Sequence, residues 1–85
     1  MPESLGDVVK RYLDARGGAS AIEVVEERAI VGGRRYWRAR VVVEGLDVAT
    51  CDRLRRYLAR RLKAKARSMY IVSSKVNSCW IEVTR

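Results

Sequence analysis

The sequence predicts an α+β protein, a two-layer sandwich in which two helices cover one face of a four-stranded sheet. Two observations predict it: an amphipathic helical segment is followed by two β-rich runs, and that order is then repeated to give αββαββ. Moving the last strand to the front would give βαββαβ, so the predicted arrangement is a circularly permuted ferredoxin-like fold. We expect one domain, residues 1–85, made of two αββ units at about 4–44 and 47–84.

The first unit begins with a short amphipathic helix whose predicted N-cap is Ser4. Its buried face is marked by apolar residues at helical spacing, namely Leu5, Val8, Val9, Tyr12 and Leu13. Gly17 and Gly18 end this helix because glycine readily adopts the positive φ of a C-cap. Two β-rich runs follow at 21–31 and 34–44, and the glycine pair between them predicts a hairpin.

The second helix is predicted to follow the N-cap Asp47 and to run to about Arg67, a rod roughly 30 Å long. Its core stripe consists of Cys51, Leu54, Leu58 and Leu62. Two short strands then follow at 69–73 and 79–84. We expect the last strand and the strand near 35–43 to be central neighbours, with the second face of the sheet left uncovered by helices.

Five cations gather on the side of this helix opposite the core stripe: Arg53, Arg56, Arg60, Lys63 and Arg67. No acid follows Asp52 in the helix, and like charges at this spacing cost about 0.2–0.5 kcal/mol each. In the simplest alternative this is a solvated helix whose cations interact with the helix dipole, but that effect is confined to the last turn. The pattern therefore favours a polyanionic partner, and nucleic acid is the usual one.

The net charge of +8 is unevenly distributed along the chain. Residues 1–33 carry a net charge of −2, residues 34–67 carry +9, and residues 68–85 carry +1. A charge that served solubility alone would not need this segregation. We therefore expect one side of the molecule to be basic.

The composition argues against several functional classes. The chain has no His and no glycine-rich phosphate loop, so we expect no catalysis, no cofactor, no metal site and no small-molecule substrate. The longest purely aliphatic run is 41–43 and the N-terminal segment lacks a signal-peptide pattern, so a cytoplasmic protein without a membrane partner is expected. Heavy charge with no Gln and a single Asn is typical of hyperthermophile proteins.

Alternation along the second strand assigns its residues to two faces. The predicted core face holds Trp37, Ala39, Val41 and Val43. The uncovered face collects aromatic and Arg residues from the two central strands, namely Tyr36, Arg38, Arg40 and Trp80. This arrangement resembles the RNA-recognition motif, although the two short sequence signatures of that family are absent. The resemblance implies a base-stacking platform.

These patterns predict a non-catalytic nucleic-acid-binding protein, with RNA somewhat favoured over DNA. The expected binding residues are the five helix cations, the four residues of the uncovered sheet face, and the two residues that start the second strand, Arg34 and Arg35. The alternative function is a small structural or assembly module that dimerises, or docks a protein partner, through the uncovered face. An exposed apolar patch around Val42 and Trp80 would suit such an interface.

The two cysteines, Cys51 and Cys79, both fall on predicted core faces. A helix axis lies roughly 10 Å above a sheet, whereas a disulfide needs Cα atoms within about 7 Å. Two reduced, buried thiols are therefore the favoured prediction, with a disulfide as the alternative.

Overall fold

Four antiparallel strands form one sheet in the order β1-β2-β4-β3, and two helices pack on one of its faces. The computed structural model describes residues 3–85. Its elements are α1 (Leu5–Asp14), β1 (Ala21–Val31), β2 (Arg34–Glu44), α2 (Val48–Leu62), β3 (Lys65–Ile71) and β4 (Ser78–Thr84). The predicted α+β sandwich is confirmed, as is the central pairing of β2 with β4.

Helix α1 begins where the sequence predicted, because the Ser4 hydroxyl accepts a hydrogen bond from the Asp7 backbone N–H at 3.1 Å. The helix ends at Asp14, and both following glycines have positive φ. The Gly18 N–H donates to the Leu13 carbonyl at 2.7 Å, which satisfies one of the last free carbonyls of the helix.

The β1–β2 hairpin turns at Gly32 and Gly33, whose φ angles of 58° and 80° suit the tight turn between twisted strands. Each strand of this hairpin has 11 residues, but β4 has only 7 and pairs with β2 from Arg38 to Glu44. The part of the hairpin from residue 28 to residue 37 therefore projects beyond the sandwich, and we call it the hairpin end. Trp37, expected in the core, lies at its base and is partly exposed.

Helix α2 starts as predicted, with the Asp47 carboxylate accepting from the Thr50 N–H at 2.7 Å, but it ends at Leu62 rather than near Arg67. Lys63 adopts the left-handed conformation with φ 50° and ψ 52°. The Ala64 N–H donates to the Ala59 carbonyl at 3.0 Å, and the Lys63 N–H donates to the Arg60 carbonyl at 3.4 Å. These two hydrogen bonds form a Schellman motif. The prediction was wrong here because the turn is made by a lysine and not by glycine.

The earlier helix end lengthens the third strand on its N-terminal side. Strand β3 begins at Lys65 rather than at residue 69, and it ends at Ile71 rather than at residue 73. It pairs with β4 over the full seven residues, from Lys65 opposite Thr84 to Ile71 opposite Ser78. Residues 65–67 gain ladder hydrogen bonds in this way, which a longer helix would forfeit.

Cys51 and Cys79 form a disulfide, so the prediction of reduced thiols was wrong. Their Cα atoms are 5.6 Å apart, well inside the reach of the bond. The reason is positional, because Cys51 lies in the first turn of α2, directly after the chain leaves the sheet through Leu46. The Tyr70 hydroxyl donates to the Leu46 carbonyl and holds this start of the helix against β3.

A single hydrophobic cluster fills the space between helices and sheet. Its fully buried members include Val9 and Leu13 of α1, Leu54 and Leu58 of α2, and residues of the central strands. Within residues 3–85, neither helix has the length and apolarity needed to cross a membrane.

Candidate nucleic-acid interface

The outward surface of α2 carries exposed cations near its middle and C-terminal end. Arg53, Arg56 and Arg60 are exposed on the helix, and Lys63 is exposed at its left-handed cap. The predicted fifth member, Arg67, does not belong to this surface. It lies on β3, where its guanidinium is 3.2 Å from a Glu82 carboxylate oxygen. The five-residue cation set predicted for the helix was therefore wrong in that one member.

Asp52 is the acid that lies among these cations. Its carboxylate accepts hydrogen bonds from Arg55 and lies 2.9 Å from an Arg56 nitrogen. The Arg55 hydrogen bond is the main reason that the pKa of Asp52 lies below its ordinary value, and the Arg56 charge adds to the effect. Arg53 and Arg60 have no acid within 4 Å among residues 3–85, so their charge is available to a partner.

A pair of tyrosines lies beside these cations, where α1 meets α2. The Tyr12 and Tyr57 rings stack with centroids 4.4 Å apart, and the Arg16 guanidinium lies 3.7 Å from the Tyr12 ring centre. Tyr12, Arg53 and Arg60 line one shallow recess. Sequence reasoning missed this feature, because helical spacing placed Tyr12 on the buried face and gave no sign that its side chain stays partly exposed.

A second group of cations surrounds the hairpin end. Arg28, Arg35 and Arg85 line a broad open cleft together with Trp37. The Arg85 guanidinium lies 4.6 Å from the centre of the Trp37 ring and donates to the Leu62 carbonyl at 3.4 Å. Because Arg85 contacts both the hairpin and the last turn of α2, the cations of the hairpin and of the helix end share one end of the molecule.

Arg34 and Tyr36 are exposed on the same hairpin end and have the parity of the uncovered sheet face; Tyr36 also lines the cleft and retains 46% of its accessible surface. Ile30, on the cleft side, retains 74%. Arg28, Arg34 and Arg35 have no acid within 4 Å in the part of the chain that the structure describes. An apolar and aromatic surface beside such arginines is suited to stacking and phosphate contacts together.

The uncovered sheet face does contain the four residues predicted for it. Tyr36, Arg38, Arg40 and Val42 are alternate residues of β2, and Val42 is paired with Trp80 of β4, so all of these side chains lie on the same face. Tyr36 and Trp80 are nevertheless far apart. Trp80 is opposite Val42, six residues from Tyr36, a separation of about 20 Å along the strand. The two aromatics therefore cannot stack adjacent bases as the resemblance implied.

Acidic residues also lie on this face, because Glu27 is paired with Arg38 and Glu82 is paired with Arg40 across neighbouring strands. Glu27 on β1 contacts Arg38 at 2.5 Å, and this hydrogen bond holds the pKa of Glu27 below its ordinary value. Arg40 instead lies over Trp80, 5.6 Å from the ring centre. The uncovered face is thus a mixture of both charges, while the helix and hairpin surfaces are predominantly basic.

Within residues 3–85 no three His, Cys, Asp or Glu side chains are grouped so that they could hold a metal ion. Comparison of the chain with protein-family models, with curated proteins and with solved structures gives no match.

Proposed function

We propose that this protein binds nucleic acid without catalysing a reaction, with RNA favoured over DNA, through the outward surface of α2 and the hairpin end. The observation that carries the proposal is the number of unneutralised cations. Among residues 3–85, six of the eighteen Lys and Arg side chains lie within 4 Å of an acid, and twelve do not. A phosphate backbone would supply the missing negative charge.

The spacing of the cations suits an extended polyanion. Arg53 and Lys63 are separated by about 15 Å along the axis of α2, at 1.5 Å per residue. The hairpin end continues the basic surface from the last turn of the helix, because Arg85 contacts both. A strand of several nucleotides could follow this path and meet a guanidinium at successive phosphates.

The preference for RNA rests on the exposed aromatic residue. Tyr36 lies on the hairpin end beside Arg34, and unpaired bases stack on such rings and on guanidinium planes. Single-stranded loops and ends of RNA offer unpaired bases, whereas duplex DNA keeps them stacked. We therefore expect single-stranded RNA to bind more tightly than duplex DNA of the same length.

The test is a salt series of fluorescence anisotropy titrations with mixed-sequence single-stranded RNA and with mixed-sequence duplex DNA. A triple variant, Arg53→Glu, Arg56→Glu and Arg60→Glu, should lower RNA affinity steeply. If each arginine contacts one phosphate, the slope of log affinity against log salt should fall by roughly 2.

The matched control reverses three cations away from this surface, Lys10→Glu, Arg11→Glu and Lys75→Glu, with the same change in net charge. We expect the control to bind much more tightly than the α2 variant, and circular dichroism should show both to be folded. Equal losses in the two variants would mean that net charge alone attracts RNA. Absence of wild-type binding to either nucleic acid at low salt would refute the proposal.

A further inference from the structure

The sheet face opposite the helices is bare within residues 3–85, and it concentrates exposed apolar side chains. Eight large hydrophobic residues of the described chain are exposed, and five of them have outward parity on this side of the sheet: Val25, Met69 and Ile71 lie within the four-stranded part, and Val31 and Tyr36 lie on the hairpin end. Met69 retains 60% of its accessible surface. A surface of this kind usually marks an interface.

The strand register arranges this face in rows that cross β1, β2, β4 and β3 in that order. One row holds Glu23, Val42, Trp80 and Met69; the next holds Val25, Arg40, Glu82 and Arg67; the third holds Glu27, Arg38, Thr84 and Lys65. The two edges of the face differ in charge, because β1 contributes two glutamates while β3 contributes a lysine and an arginine.

We propose that this face binds a second copy of the chain through a two-fold axis that runs parallel to the strands, between β2 and β4. Rotation about this axis reverses the order of the strands across the sheet, so that β1 faces β3 of the partner and β2 faces its β4. Positions along the strands are preserved. Arg40 then faces the partner's Glu82, Glu27 faces the partner's Lys65, and Val42 faces the partner's Trp80.

These contacts would give an acidic partner to cations that have none within residues 3–85 of their own chain. Glu27 and Glu82 each have one cation on their own chain, Arg38 and Arg67. Arg40 and Lys65 have no acid within 4 Å among residues 3–85. In the proposed dimer each glutamate lies between two cations, so both unpaired cations gain a partner.

The charge pattern also selects the direction of the axis. A two-fold axis across the strands would place every strand opposite itself. The glutamates of β1 would then face each other, and Arg40 would approach its own copy. Like charges placed directly opposite destabilise a contact. Aligned packing of two sheets, with the strands within about 30° of parallel, is therefore expected.

The overlapping area sets the strength of the dimer. Seven residue positions on four strands span about 23 by 19 Å at standard strand spacings, a flat area of about 440 Å² per chain. This lies at the low end of protein interfaces, so we expect a dissociation constant between about 10 µM and 1 mM. Both α2 surfaces point outward in this dimer, and the proposal does not depend on what they bind.

The test is sedimentation equilibrium of the wild-type protein and of two charge-reversal variants, Arg40→Glu and Glu82→Arg, at concentrations up to about 1 mM. Each variant alone places like charges opposite each other, so its self-association should weaken at least about tenfold. An equimolar mixture of the two should dimerise again, because Glu at 40 then faces Arg at 82 and the reverse. Lys75→Glu, outside the face, is the control and should dimerise like the wild type.

A defect within one chain could not be repaired by mixing, so restored dimerisation identifies a contact between copies. If either variant fails to fold by circular dichroism, the pair Glu27→Lys and Lys65→Glu provides the same test at the edge of the face. A wild-type protein that stays monomeric at about 1 mM, or mixed folded variants that stay monomeric, would overturn the proposal. Protection of the Trp80 face by RNA in a strictly monomeric protein would also overturn it, because nucleic acid, and not a second copy, would then bind this face.

Discussion

Opening the bond between Cys51 and Cys79 should destabilise the protein by an amount set by the loop that the bond closes. The two cysteines are separated by 28 residues. In the chain-entropy model, a loop of this length contributes about 3–4 kcal/mol at 25 °C, because the crosslink restricts the unfolded chain. A domain of 85 residues has a total stability of only about 4–13 kcal/mol. The bond therefore supplies a large fraction of the total.

The same figure converts to a shift of the melting temperature. Unfolding entropy near 60 °C is about 2.1 cal/mol/K per residue, or roughly 180 cal/mol/K for this chain. A loss of 3–4 kcal/mol then lowers the melting temperature by about 20 °C. The assay is thermal unfolding followed by circular dichroism, with and without a strong reductant, together with thiol titration of the denatured protein.

The double variant Cys51→Ala/Cys79→Ala is the control for side effects of the reductant. Its melting temperature should lie near that of the reduced wild type and should not respond to reductant. Two titratable thiols in the untreated denatured protein, with a melting temperature that reductant leaves unchanged, would refute the reasoning. The bond would then be absent from the folded protein in solution.

Two further predictions concern the caps of α2. Lys63→Gly should raise the melting temperature by about 5 °C, because it removes roughly 1 kcal/mol of left-handed strain. The control Arg61→Gly, within the helix, should lower the melting temperature by a similar amount. Shifts of the same sign in the two variants would contradict this prediction. Hydrogen bonds with Thr50 lower the pKa of Asp47 in the folded protein below its ordinary value of 3.8. The Asp47 carboxylate therefore stabilises the folded state at any pH above 3.8, and this stabilisation is lost as the pH falls through the lower pKa of the folded state. Asp47→Asn should therefore unfold with a shallower pH dependence below about pH 4 in urea titrations, and identical profiles would exclude a role for the cap.

Local signals in the sequence were sufficient for most element boundaries. Ser4 and Asp47 are N-cap residues that accept backbone hydrogen bonds, and Gly32 and Gly33 supply the positive φ of the hairpin. The end of α2 was not predictable in this way. Lys63 adopts a left-handed conformation that its residue type disfavours, and it does so because the following residues pair with β4.

Features that depend on tertiary distances were predicted less well. The disulfide depends on how closely the first turn of α2 approaches β4, which no local pattern records. Residue parity placed Tyr36 and Trp80 on one face correctly, but their separation depends on the register of β2 against β4. These strands are not joined by a hairpin, so no turn in the sequence fixes that register.

The pairing of cations with acids differs between the two surfaces of this molecule, and the difference bears on what each can bind. On the sheet face, Arg38 and Arg67 already have glutamate partners. Arg40 and Lys65, which have no acid within 4 Å among residues 3–85, would gain one from the second copy in the proposed dimer. On α2 and the hairpin end there are fewer acids than cations among residues 3–85, and the single Asp52 carboxylate contacts both Arg55 and Arg56. A second copy of the chain brings no additional acid to that surface when the sheets face each other. The nucleic acid proposed to bind the α2 surface would supply this negative charge through its phosphate backbone.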